Sequence, residues 1–151
     1  MNFVANTKSV VSLSAAAGVA SAGTHTVAID CLGYDTVSID VGYRSIANTA
    51  APSVVTVKHS DTDGSYATIA GLVQGTDYTV AGVTNTAVVN VTRFDITTKD
   101  LKRYLQVAVT PSSEATANAS NNTIVVACKL GKGERGVDSA SDANVACWVV
   151  K

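Results

Sequence analysis

The sequence predicts an all-β chain: a single-domain antiparallel β-sandwich, jelly-roll-like, over residues 24–151, with an extended N-terminal arm over residues 1–23. Three observations carry that expectation. The 151 residues suffice for one well-cored domain, since a chain of this size buries roughly 70% of its unfolded surface. The apolar share, 46% of the chain, is dominated by Val, Ala and Ile, with Thr abundant and a single Met, a bias that favours strands over helices. Beyond the arm, apolar and polar residues alternate with period two, and helical spacing is nowhere sustained.

The strands follow in order. Thr26-Val27-Ala28-Ile29-Asp30 puts Val27 and Ile29 on one face, and Asp30–Asp35 supplies a glycine-bearing turn. In Thr36–Gly42, Val37, Ile39 and Val41 point one way while Ser38 and Asp40 point the other, the pattern of a strand with one wet face. Ser53–His59 and Ser65–Ile69 flank Asp61-Thr62-Asp63-Gly64, and Asp-Gly between β-prone runs reads as a hairpin. Asp77–Val80, Ala87–Thr92 and Phe94–Thr97 read as shorter strands. Lys102–Thr110 is a strong strand that ends at Pro111, because proline cannot donate to the ladder. Ser112–Asn122 is a polar loop, and Thr123–Leu130 and Val145–Val150 close the set. About eight to ten closely spaced strands make a sandwich or jelly roll.

The arm rests on residues 1–23, which are Ala- and Ser-rich, carry little charge and show strand character only at Val10–Leu13; such a segment is expected to be mobile until it meets a neighbour. Lys8, the following apolar residues and Ala20-Ser21-Ala22 imitate a secretory leader, but Ser12, Ser14 and Gly18 interrupt the apolar stretch. No run reaches the ~18 apolar residues of a membrane span.

Charge narrows the function classes. Lys and Arg total 11 against 12 Asp and Glu, so the chain lacks the electrostatic attraction that general nucleic-acid or anionic-membrane binding requires. Lys99, Lys102 and Arg103 form a local basic cluster interrupted by Asp100, which suits a solvated turn or an interface salt-bridge set. No nucleic-acid and no membrane partner is expected.

Candidate chemistry is sparse. Cys31, Cys128 and Cys147 are widely separated and form no CxxC pair, which favours buried thiols over a zinc or dithiol site; a Cys128–Cys147 bridge between neighbouring strands is the alternative. His25 and His59 are the only histidines, and no GxSxG elbow frames a serine. Asp61, Asp63 and Gly64 resemble the start of a calcium loop, but no further ligands follow at the required spacing. Gly131–Gly136 has the glycine interval of a P-loop, yet Val137 and Asp138 stand where Lys and Ser or Thr belong. No enzymatic activity, cofactor or metal is expected.

Three segments together resemble a family of small virion proteins of tailed bacteriophages: Leu32-Gly33-Tyr34-Asp35-Thr36-Val37-Ser38-Ile39, the hairpin Val54–Tyr66 with its His59-Ser60-Asp61, and Arg93-Phe94-Asp95-Ile96 with Lys102-Arg103-Tyr104-Leu105-Gln106-Val107. The resemblance spans residues 25–110 and stops before Ser112. It implies a head decoration, or cement, protein that is made in the host cytoplasm and binds the major capsid protein on the virion exterior. Such a protein staples subunits at local symmetry axes, so a homotrimer is expected first and a dimer second. A receptor- or glycan-binding sandwich of a tail or fibre is the alternative, weakened because Trp148, the single Trp, lies in an apolar run.

The expected contact residues fall in three places. Val10, Val11 and Leu13 offer apolar side chains on the arm, Lys99, Asp100, Lys102 and Arg103 offer mixed charge at a corner, and Lys132, Glu134 and Arg135 do so in the Gly131–Gly136 loop.

Overall fold

The computed structural model describes residues 7–14, 23–45, 50–82, 88–112 and 122–131, together with the backbone of 147–150. Its strands are β1 (Thr7–Leu13), β2 (His25–Asp30), β3 (Thr36–Ser45), β4 (Val54–Ser60), β5 (Ala67–Thr68), β6 (Asn90–Thr97), β7 (Tyr104–Thr110), β8 (Asn122–Gly131) and β9 (Cys147–Val150). They form a five-stranded sheet in the order β1-β8-β3-β6-β9 and a four-stranded sheet in the order β2-β7-β4-β5.

This is a jelly roll, and the pairing makes the reason visible. The antiparallel pairs β1·β8, β2·β7, β3·β6 and β4·β5 are those of one long ribbon folded back on itself about the β4–β5 turn. Rolling that ribbon adds the pairs β3·β8 and β4·β7, which seal the strands into two facing sheets. β9 departs from the expected all-antiparallel pattern, since it lies parallel to β6 at the far edge.

Alternation decides what fills the space between the sheets. Val37, Ile39 and Val41 of β3, Phe94 and Ile96 of β6, and Ile124, Val126, Cys128 and Leu130 of β8 face Val27 and Ile29 of β2, Val55 and Val57 of β4, and Leu105, Val107 and Val109 of β7 in one buried cluster. Phe94 is its largest fully buried side chain, set edge-on to Tyr78 with ring centroids 5.4 Å apart. Nearly every other core piece is a branched aliphatic, as the composition implies.

Several local expectations are corrected. Thr7–Leu13, placed in the expected arm, is paired along its whole length with β8, from Thr7 opposite Gly131 to Leu13 opposite Val125, so the sheet takes in a strand ahead of residue 24; residues 1–6 and 15–22 of that arm lie outside the described residues. Val10 packs against the core, which gives this weakly patterned segment its anchor. Asp77–Val80 is not a strand. The Asp77 carboxylate accepts from the Val73 amide at 2.8 Å, its amide donates back to the Val73 carbonyl at 2.8 Å, and Gly75 adopts φ 81°, so turn chemistry overrides β-propensity. That turn still delivers Ile69, Leu72 and Val80 to the core as buried residues.

The strands expected at Ala87–Thr92 and Phe94–Thr97 meet in β6, which runs through Arg93 from Asn90 to Thr97; Ala87 lies outside the described residues. Thr92, Phe94 and Ile96 keep the inward face unbroken, while Arg93 is opposite Asp40 and forms a two-pronged ion pair with it at 2.6 and 2.7 Å. The β4–β5 hairpin exists but is short, pairing only Lys58 with Thr68 and His59 with Ala67. Its connection is held instead by Thr62 N donating to Ser60 Oγ at 3.2 Å and by the Tyr66 hydroxyl donating to Asp63 at 2.5 Å.

Candidate functional site

The three expected contact regions have different fates. Within the N-terminal strand, period two splits Val10 from Val11 and Leu13. Val10 is partly buried and packs against the core. Val11 and Leu13 are 71% and 62% exposed and stand on the outward face of β1.

The row they begin continues across the sheet. Val11 is in register with Ala127 and then with Asp40 and Arg93; Leu13 is in register with Val125, then Gly42 and Val91. Glycine at position 42 leaves room for a neighbour from outside the strands. A Cβ there would stand 3.1 Å from Cγ1 of Val89 and 3.6 Å from Cβ of Val125, so Val89 lies across the outer surface. Val88 and Val89 are themselves exposed. The outer face of the five-stranded sheet thus carries an apolar strip running from the β1 edge toward the start of β6, bordered by the Asp40–Arg93 pair.

At the corner, Lys99 and Asp100 are exposed on a turn closed by Leu101 N donating to Thr98 O at 3.0 Å. Lys102 and Arg103 do not project freely. Lys102 Nζ reaches Asp61 at 2.7 Å, and the Arg103 guanidinium forks onto both Asp30 oxygens at 2.9 and 2.7 Å while lying 4.7 Å from the centre of the Tyr104 ring. The hydrogen bonds from Arg103 hold the Asp30 carboxyl down at about 2. These pairs tie the end of β2 to the start of β7 and the β4–β5 connection to the same place. Asp30 and Asp61 were not among the expected residues, because nothing in sequence spacing brings residue 30 beside 103. Lys132, Glu134 and Arg135 lie outside the described residues.

Asp61 and Asp63 do not converge on a common point: one binds Lys102 and the other accepts from Tyr66. Among the described residues there is no group of three or more His, Cys, Asp or Glu side chains placed to hold a metal ion. Cys31 and Cys128 carry free, buried thiols, so Cys128 is not bridged to Cys147. Burial pushes the two thiols up to about 11 and about 12, which removes thiolate character near neutral pH. His59, next to last in β4, has Nδ1 at 3.5 Å from the Lys102 amide. His25 Nε2 lies 3.2 Å from Ser12 Oγ, linking β1 to β2 across one side of the sandwich; partial burial lowers its pKa.

No helix among the described residues is long and apolar enough to cross a membrane. No family model matches the chain, and no curated protein matches it.

Proposed function

We propose that this protein is a structural component of a phage virion, binding the outer surface of an assembled capsid and stabilising the shell as a decoration protein. The observation that carries the reading is the eight-strand ribbon rolled in the order β1-β8-β3-β6 and β2-β7-β4-β5, an architecture used by viral capsid domains, in a chain that resembles small virion proteins over residues 25–110. The surface adds support of a physical kind. Val11, Leu13, Val88 and Val89 give one sheet an exposed apolar strip, and such strips on otherwise low-charge proteins favour contact with other proteins.

Shell stabilisation by such a protein is a matter of repetition. A capsid under internal pressure fails at the seams between subunits, and a protein that spans a seam adds buried area there. Each contact is weak, yet many copies on a fixed lattice act together, because the second contact made by a bound copy is intramolecular. The ion pairs at the corner serve this role by stiffening the loops: Lys102 with Asp61 and Arg103 with Asp30 fix three connections in one place.

The test is binding to particles. Purified protein is mixed with expanded capsids stripped of decoration, and sedimented. Saturable co-sedimentation at a fixed ratio to capsid subunits supports the reading; binding to tail tips or to host-surface glycans, with none to heads, overturns it in favour of a receptor-binding sandwich.

A further inference from the structure

We infer that β1 is a self-association edge: two copies of this chain pair β1 against β1 in antiparallel fashion about a two-fold axis at Val11, joining their outer sheets into one. The inference concerns the protein free of any particle and does not rest on the capsid reading.

Backbone parity decides where the polar groups of β1 point. β1 and β8 pair with Ser12 opposite Val126 and Leu13 opposite Val125; one step further, Ser14 N donates to Ile124 O at 2.9 Å. In an antiparallel ladder, residues that exchange hydrogen bonds alternate with residues that do not. Ser14, Ser12, Val10 and Lys8 therefore direct their N–H and C=O groups at β8. Ser9, Val11 and Leu13 direct theirs the other way, out of the sheet. β1 ends the sheet order, so among the described residues no other strand takes up those groups.

The same residues carry the exposed side chains. Val11 and Leu13 are the most exposed large apolar residues of the strand, at 71% and 62%. Natural edge strands are protected by proline, inward charge or brevity. β1 has no proline, its seven residues include a single charge, Lys8, and that charge sits near one end. The edge of β2 is different in kind, since its outward residues Thr26 and Ala28 are small or polar, and β5 is two residues long.

A second copy of β1 is the occupant that fits. Antiparallel pairing about Val11 sets Val11 opposite itself, Ser9 opposite Leu13 and Leu13 opposite Ser9, so every outward-directed backbone group in that stretch finds a partner. Leu13 then lies diagonal to the other copy's Val11, within side-chain reach, and the exposed apolar residues of both copies form one cluster. Charge is compatible. Lys8 falls opposite Ser14, and the two Lys8 residues are six strand positions apart, roughly 20 Å, beyond the Debye length of about 8 Å at physiological salt. The patch is self-complementary, as an isologous interface requires.

The experiment uses the full chain with Cys147→Ser as background, leaving only the two buried thiols. Val11→Cys is placed on the two-fold, where a hydrogen-bonded pair has Cα atoms about 5.5 Å apart, inside the roughly 4.4–6.8 Å span of a disulfide. Thr26→Cys, exposed on β2, is the control. Under mild oxidation the Val11→Cys chain is expected to form covalent dimer at least ~10-fold faster than the control, and Val11→Asp, which sets like charges opposite each other, is expected to abolish any concentration-dependent rise in sedimentation coefficient. If Val11→Cys crosslinks no faster than Thr26→Cys, or if the unsubstituted chain and Val11→Asp sediment alike as concentration is raised, β1 is not a self-association edge.

Discussion

Replacing Phe94 with Ala tests whether the two sheets are held by the core that the jelly-roll pairing creates. Phe94 is fully buried on β6, opposite Ile39 of β3, and its ring meets Tyr78 at 5.4 Å and 78°. Most of its core neighbours are Val, Ile and Leu, short branched side chains that fill a vacated ring volume poorly. The expected loss is therefore at the full cost of a buried Phe→Ala change, about 3–5 kcal/mol, against a total of roughly 5–15 kcal/mol for a domain. With a urea slope near 2 kcal/mol/M, the unfolding midpoint followed by circular dichroism drops by about 2 M. A double-mutant cycle with Tyr78→Leu separates the ring pair from the general loss, with an expected coupling of about 0.5–1.5 kcal/mol. A midpoint that falls by less than about 0.5 M at unchanged slope would mean that Phe94 does not fill the space between the sheets, and the packing argument would fail with it.

Two further outcomes follow from the electrostatics. Arg103→Ala should return the Asp30 carboxyl from about 2 toward its ordinary 3.8, read by carboxyl-carbon NMR titration. Because the folded value is the depressed one, the stabilisation from this pair is present above about pH 4 and is lost as pH falls toward 2, so the stability gap between the parent and Arg103→Ala should close over that window; a gap that widens on acidification contradicts the assignment. In a Cys147→Ser background, Cys31 and Cys128 should resist a thiol reagent at pH 8, where a thiol at about 11 is only about one-thousandth thiolate. Labelling should become rapid in denaturant, and rapid labelling of the native chain would show that these thiols are not held in the core.

The parts of the fold written in strict alternation were legible. Val37-Ser38-Ile39-Asp40-Val41 and Leu105-Gln106-Val107-Ala108-Val109 declare both strand and face, because every second residue must choose core or solvent. In the sequence β6 looks like two segments, because Arg93 interrupts an apolar run. Its charge is accommodated by Asp40 on the neighbouring strand, fifty-three residues away in sequence, a partner that only the register supplies. β1 looks like an arm in the sequence for the complementary reason: Thr7–Leu13 alternates poorly, and its place is fixed by the β8 edge beside it. At the surface, spacing drew attention to Lys102 and Arg103 as charged residues, but the acids that hold them, Asp61 and Asp30, come from two other connections. The sharp turn at Gly75 and the crossing of Val89 over Gly42 depend on backbone dihedrals and three-dimensional proximity, neither of which has a one-dimensional signature.

Heating particles tests the proposed stabilisation of a capsid. Particles that carry the protein and otherwise identical particles that lack it are warmed together at fixed ionic strength, and DNA release is followed with an intercalating dye. Decorated particles should release DNA at a higher temperature, and adding purified protein back to the bare ones should restore that temperature. Release at the same temperature from both would contradict the stabilising role.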